Sequence, residues 1–234
     1  MDYSLMDYSI SVIIPALNEE KNIVQLIDYI ENENVKAEII VSDGNSDDST
    51  VEKAEAKGAK IVVGRAGRGQ QLNRGAQLAT SPILLFLHAD SRLEKSALEN
   101  LVKNMNEKQN KIGGCFKLKI ESEHPLLRFI SWSSNLRAKY LKLIFGDQGI
   151  FIRKKAFQEI GGFPEIEIME DWEFSKKMAA YGSLEFQEDK IYTSARRWEK
   201  NGVLKTFFLM HKIKILYILG VNPKKLKKIY RDSR

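Results

Sequence analysis

The chain has 234 residues, 43% hydrophobic and 29% charged, with a net charge of +6 and a single cysteine. Those values suit one large globular domain, or a core domain with a tail, and exclude a low-complexity chain and an internal disulfide. From Lys205 to Arg234 nine basic residues face Asp232 alone. That exceeds the whole chain's excess, so the body is slightly acidic and lacks the basic face of a nucleic-acid binder.

The opening MDYSLMDYS carries Met1 and Met6 in a repeat that reads as two candidate starts, and residues 1–9 are expected to be a disordered or alternative-start leader. Residues 10–17 (ISVIIPAL) form an apolar β-rich run closed by Asn18-Glu19-Glu20, and Ile23, Leu26, Ile27 and Ile30 follow at helical spacing. Residues 37–42 predict a second buried strand, closed by DGNSDDST, a turn leading into a helix over 50–57. A third short strand is expected over 60–63, then a glycine-rich loop (64–69), a helix from QQLNRGAQLAT, and a strand ILLFL (83–87) ending in His88-Ala89-Asp90. Continuous rather than alternating apolar strands, interleaved with helices, predict a mostly parallel sheet covered on both faces. Ligands in such sheets bind beyond the strands' carboxyl ends. The polar clusters at 18–20, 43–50 and 88–90 should therefore face one crevice.

Further on, helices are expected over 94–108, 125–143, 155–160 and 170–181, and strands over 115–121 and 149–154, with LEFQ and KIYTSA as two short strands. Cys115, after Gly113-Gly114, reads as a small buried residue rather than a nucleophile, and with no disulfide a cytoplasmic location is expected.

Several clusters could carry chemistry. Asp90 at a strand end suits Mg²⁺ or Mn²⁺, or equally caps a following helix. Asp43 can accept a hydrogen bond from a base or ribose, or serve the turn it begins, and turn chemistry is the simpler reading of Asp47 and Asp48. Gly64 and Gly69 have P-loop spacing, but Gln70-Gln71 stand where Lys and Ser/Thr belong, and Leu72 occupies the third glycine site of G-x-G-x-x-G. The loop can still offer amides to a phosphate, assisted by Arg65 and Arg68. Glu170-Asp171 open a helix, where acids are favoured by the dipole; either could also act as a general base. Arg196-Arg197-Trp198 can grip a diphosphate with an aromatic alongside or be a surface pair beside a packed ring.

Together and in order, SVIIPALNEE, EIIVSDGNSDDST, GRGQQLNRGA, ILLFLHAD, GDQGIFIRK, EIGGFPEIEIMEDWEFSKKM and SARRW resemble the family-2 glycosyltransferases over roughly residues 10–200. They are similar in particular to a bacterial subgroup of small members in which HAD replaces DxD. The resemblance implies an α/β fold of GT-A type: a Rossmann-like, mostly parallel sheet with helices on both faces and a short antiparallel acceptor-side portion. It implies an inverting transfer from a nucleotide-diphosphate donor, UDP-linked, to a hydroxyl or carboxyl acceptor, lipid-linked acceptors included. Pro15, Leu17, Asn18 and Glu19 would line the nucleoside pocket and Asp43 would contact the base. Arg68, Gln71 and Asn73 would lie over the nucleotide, with Ala89 beside it. Asp90 would hold the metal, Asp171 (with Glu170 beside it) would be the catalytic base, and Arg197 and Trp198 would approach the diphosphate. The departure is His88 in place of the first acid of DxD, and it is left out of the metal set.

Residues 10–202 are thus expected to form the glycosyltransferase domain and 203–234 a basic amphipathic helical tail. VLKTFFLMHKIKILYILG is broken by lysines, short of the ~18 apolar residues of a spanning helix. With KKLKKIYR behind it, the segment is a candidate for contact with an anionic membrane surface, for packing on the domain, or for a homodimer contact. The rival readings are a sugar-nucleotide nucleotidyltransferase, opposed by ALNEE where a basic glycine-rich loop belongs, and a non-catalytic nucleotide- or glycan-binding module, opposed by the acids at 90, 170 and 171.

Overall fold

A computed structural model describes residues 9–232. Residues 1–8, the bulk of the expected leader, and the side chain of Arg197 lie outside the described residues.

Eight strands form one sheet, β1 (Ile10–Ala16), β2 (Ala37–Asp43), β3 (Lys60–Val63), β4 (Ile83–Phe86), β5 (Arg92–Leu93), β6 (Lys111–Glu121), β7 (Ile150–Arg153) and β8 (Ser183–Ser194). Their order is β3-β2-β1-β4-β7-β6-β8-β5. β3, β2, β1 and β4 are parallel, and β6 pairs with β8 in parallel. β7 is antiparallel to both β4 and β6, and β5 is antiparallel to β8. The mostly parallel GT-A arrangement with an antiparallel portion is therefore present.

Successive strand residues point to opposite faces, and both faces are covered. Ile10, Val12 and Ile14 of β1 pack with α1 (Ile23–Glu31), α4 (Ala97–Glu107) and α5 (Pro125–Leu141). Ile13 of β1, with Leu84 and Phe86 of β4, packs with α3 (Arg68–Leu78), α6 (Lys154–Glu159) and α7 (Glu170–Tyr181). Each such Ile or Leu contributes about 1.5–3 kcal/mol by leaving water, and this double burial is why the strands read as unbroken apolar runs. α2 (Thr50–Ala56) joins β2 to β3.

Several boundaries differ from the sequence expectation. β6 begins at Lys111, so Gly113-Gly114 lie inside it, and LEFQ and KIYTSA are one strand with a register shift opposite Phe116 and Lys117. The expected helix over 94–108 starts at Ala97, behind β5, with Ser96 at its cap. Asp90 and Ser91 therefore do not cap it. Cys115 is buried, and burial pushes its thiol far above the ordinary value. The tail is α8 (Arg196–Asn201), α9 (Val203–Ile218) and α10 (Pro223–Asp232). It packs on the domain through buried Thr206, Ile213 and Leu226 and through Val203 and Phe207. Among the described residues no helix is long and apolar enough to cross a membrane.

Candidate active site

The register levels Ala16 with Asp43 at the carboxyl ends of β1 and β2, and β4 ends beside them. The loops beyond β1 and β2 are laced together. Asn18 N donates to Ser46 Oγ (2.9 Å), Asp47 N to Asn18 Oδ1 (2.9 Å), Glu19 N to Thr50 Oγ1 (2.8 Å) and Glu20 N to Asp48 Oδ2 (3.2 Å). Asn18 takes a left-handed φ of 57° to make this turn. Asp43 is fully buried and accepts hydrogen bonds from the Ser46 amide and hydroxyl. Turn chemistry is what these side chains do in this conformation, with Leu17 standing out at 46% exposure.

Gln71 and Asn73, both on α3, fasten backbone. Gln71 Nε2 donates to Ala16 O (2.8 Å) and Ser42 O (2.9 Å), and its Oε1 accepts from Gly67 N (3.1 Å). Asn73 exchanges two bonds with Phe163, donating to its carbonyl (2.8 Å) and accepting from its amide (2.9 Å). α3 is thereby tied both to the strand ends and to the turn ahead of α7. The approach is close: a Cβ on Gly69 would lie 2.6 Å from Pro164 O.

Beside this frame lies a cavity of ≈ 10 Å³, lined by Arg68, His88, Gly146 and Asp171 on a floor of Leu72, Phe86, Ile150 and Phe163. That is room for about one water molecule, too little for a sugar ring in this conformation. Asp171 is 8% and Glu170 4% exposed at the start of α7. Met169 before them holds a left-handed φ of 70°, a strained backbone for a non-glycine residue of the kind found where side chains must be aimed. Asp171 Oδ2 accepts from Gly146 N (2.8 Å) and Oδ1 from Trp172 N (2.7 Å), which fixes the carboxylate. Arg68 Nε lies 3.5 Å from Glu170 Oε1.

The charges are arranged unevenly. Burial, and then Asp171, raise the Glu170 carboxyl above the ordinary value, against the pull of Arg68. Burial also raises Asp147, with Asp171 adding to it and Arg137, Lys214 and Arg68 opposing. Burial, and then Arg68, lower His88 to about 3, so its imidazole is neutral at pH 7.

Asp90 is exposed, two residues past His88 in a turn closed by Ser91 N donating to His88 O (3.0 Å), with Ala89 buried between them. Arg68, His88 and Asp171 therefore come together at the cavity, with Asp90 on the exposed side of the His88 turn, as do the loops holding Pro15 to Glu19 and Asp43. Trp198 does not line the cavity; it packs against the apolar cluster of β1, α1 and α5. The residues not singled out from the sequence are Phe145, Gly146, Asp147, Arg137 and Lys214. The only hints were the GDQG turn and a lysine interrupting an apolar stretch.

Among the described residues no group of three or more His, Cys, Asp or Glu is placed to hold a metal. One exposed carboxylate with a neutral imidazole nearby still suits Mg²⁺ or Mn²⁺ that takes its remaining ligands from water and diphosphate oxygens.

The sheet order and the acids gathered at its strand ends define a GT-A glycosyltransferase domain. The Glycosyl transferase family 2 model matches residues 11–161, and the chain belongs to that family. It is 36% identical over 110 residues to the 4,4'-diaponeurosporenoate glycosyltransferase of Staphylococcus haemolyticus, covering 43% of this chain and 29% of that protein. It is 36% identical over 93 residues to the glucosyl-3-phosphoglycerate synthase of Mycobacterium tuberculosis, covering 35% and 29%. The matched stretch thus spans less than a third of either relative's length. A mannosyltransferase from Pyrobaculum calidifontis in complex with GDP-Man and Mn²⁺ shares the fold at a TM-score of 0.68 and 17% identity, over 96% of this chain and 68% of that one. S. aureus TarS in complex with UDP-GlcNAc does so at 0.63 and 21%, over 81% and 58%.

Proposed function

We propose that the protein transfers a sugar from a nucleotide diphosphate, UDP-linked, to a hydroxyl or carboxyl acceptor by metal-assisted in-line displacement with inversion. The observation that carries this reading is the fixed Asp171 carboxylate facing the same cavity as Arg68 and His88. Asp171 takes the acceptor's proton as its oxygen bonds to the anomeric carbon. The bond from that carbon to the diphosphate breaks, and its electron pair leaves with the nucleotide. Asp90 would hold Mg²⁺ or Mn²⁺, which when bound neutralises charge on the leaving diphosphate. Arg68, released from Glu170, adds donors there, and Arg197 is placed by the same reading at the diphosphate. Pro15, Leu17, Asn18, Glu19 and Asp43 would contact the nucleoside, with Gln71 and Asn73 holding its floor.

TarS is seen with UDP-GlcNAc and the archaeal neighbour with GDP-Man, so both nucleotides enter the test. Calorimetry with UDP and GDP, with and without Mn²⁺, followed by turnover of a nucleotide-sugar panel, tests the reading. Absence of binding to either nucleotide would overturn it.

A second reading concerns the tail. On α9 the exposed Leu204, Phe208, Ile215 and Ile218 recur every three to seven residues along one face. Exposed Lys205 and Lys212, and Lys224, Lys225 and Lys228 of α10, flank it. An apolar stripe edged by lysines fits an anionic lipid surface, which would keep a cytoplasmic enzyme at the inner face of the membrane.

A further inference from the structure

Lys214 sits in α9, beyond the 11–161 stretch matched by the family model. Its side chain is partly buried, and its ammonium lies 4.9 Å from the centroid of the Phe145 ring. The Arg137 guanidinium is 4.3 Å from the same centroid, and Trp172, next to Asp171, packs on Phe145 with ring centroids 5.5 Å apart. Gly146, which holds Asp171, directly follows Phe145. The α9 lysine thus meets an aromatic pair whose chain neighbours, Gly146 and Asp171, line the cavity.

Lys214 has no hydrogen bond or ion pair among the described residues. Asp147 and Asp171 lie within electrostatic reach of it. Arg137, by contrast, is engaged with Leu143 O and Gln148 Oε1. Asp147 Oδ1 is buried without a partner. A carboxylate oxygen is unfavourable to bury unfilled, and the half-buried Lys214 ammonium beside it keeps its three donors uncommitted to protein acceptors among the described residues. Both stand next to the candidate base, where the acceptor must be.

We propose that Lys214 forms an anion subsite for the acceptor, with Asp147 across from it and the Phe145–Trp172 wall beside it. The acceptor would then carry a carboxylate or phosphate near the hydroxyl that faces Asp171. Asp147 Oδ1 takes a neighbouring hydroxyl, and the rings cover the carbon skeleton. The inference rests on the transferase reading and deepens it by naming the acceptor's chemical class.

The test follows Lys214 itself. The lysines of the full chain are dimethylated with carbon-13 and observed by NMR in saturating UDP and diamagnetic Mg²⁺, which fill the donor side. Lys214→Arg identifies the signal. With no added anion the signal titrates near pH 8, where burial and Arg137 place it. Inorganic phosphate or acetate should move the midpoint to higher pH, because an adjacent anion favours the ammonium; glycerol should not. Response to phosphate alone assigns a phosphorylated acceptor, and response to acetate alone a carboxylate. A midpoint unmoved by either anion overturns the proposal, since a lysine that only balances Asp147 would behave that way. UDP affinity, measured separately by calorimetry and expected to be unchanged in Lys214→Met, reports on the donor assignment independently.

Discussion

The amide of Gly146 donates to Oδ2 of Asp171 at 2.8 Å, and the same glycine separates that carboxylate from His88. A Cβ at this position would lie 2.9 Å from His88 Nε2 and 3.5 Å from Asp171 Oδ2. Gly146→Ala must therefore displace the imidazole or the carboxylate. Because misplacement of a reacting group by about 1 Å can reduce rate ~10²-fold, turnover should fall by about that factor. Thermal denaturation should show a small shift in Tm, which separates misplacement from unfolding.

Asp171→Asn keeps the shape of the side chain and its bond from Gly146 but cannot accept the acceptor's proton. General-base assistance is worth roughly 10²–10⁴ in rate, so kcat should fall by that range while UDP affinity is retained. Turnover at the normal rate would end the role given to Asp171.

Asp90 is the exposed carboxylate of the His88 turn and, among the described residues, has no hydrogen-bond or ion-pair partner. Asp90→Ala should leave the fold intact and remove the part of UDP binding that depends on Mn²⁺. Calorimetric titrations with and without the metal measure that increment, and an unchanged increment would place the metal elsewhere.

A stability prediction concerns the opposite end of the sheet. Glu38 is buried on β2, where burial alone would raise its carboxyl. Lys60, the Ser11 hydroxyl and the Thr80 amide and hydroxyl outweigh that and hold it below the ordinary value of 4.5. A lowered folded-state value stabilises fully above the unfolded value, and the contribution is lost as pH falls through the folded one. Glu38→Gln should therefore cost about 1–3 kcal/mol at neutral pH. The gap from the parent protein should close on acidification below 4.5, as urea melts across that range would measure.

The exposed stripe of α9 predicts co-sedimentation with vesicles containing phosphatidylserine or phosphatidylglycerol and little with phosphatidylcholine alone. Phe208→Glu with Ile215→Glu should abolish it. Association of the chain with itself, and none with vesicles, would instead assign the stripe to a dimer.

Much of the sheet was legible because double burial writes itself as unbroken apolar sequence: 10–16, 37–43 and 83–86 are strands as expected. The antiparallel insertion of β7 between β4 and β6 was not, since strand direction leaves no periodic trace. β5, at two residues, is too short to show any pattern. Gly113-Gly114 resembled punctuation, although β8 and β7 pair along both sides of them. The acids of the site were visible at the strand ends and at the head of α7. The roles of Gln71 and Asn73 were not, because an amide side chain suits a ligand and a backbone carbonyl equally well. Lys214 was hidden for another reason: its importance comes from packing between elements some seventy positions apart in the chain, near Arg137 and Phe145.

The two bonds that Asn73 shares with Phe163 bear on how a substrate as large as a nucleotide sugar gets in. They make α3 and the head of α7 a single jaw that carries both Arg68 and the Glu170-Asp171 pair. That jaw cannot part along its own seam without breaking the clasp. Room for such a substrate therefore has to come from elsewhere on the cavity's edge, while the arginine and the proton-accepting group keep their spacing.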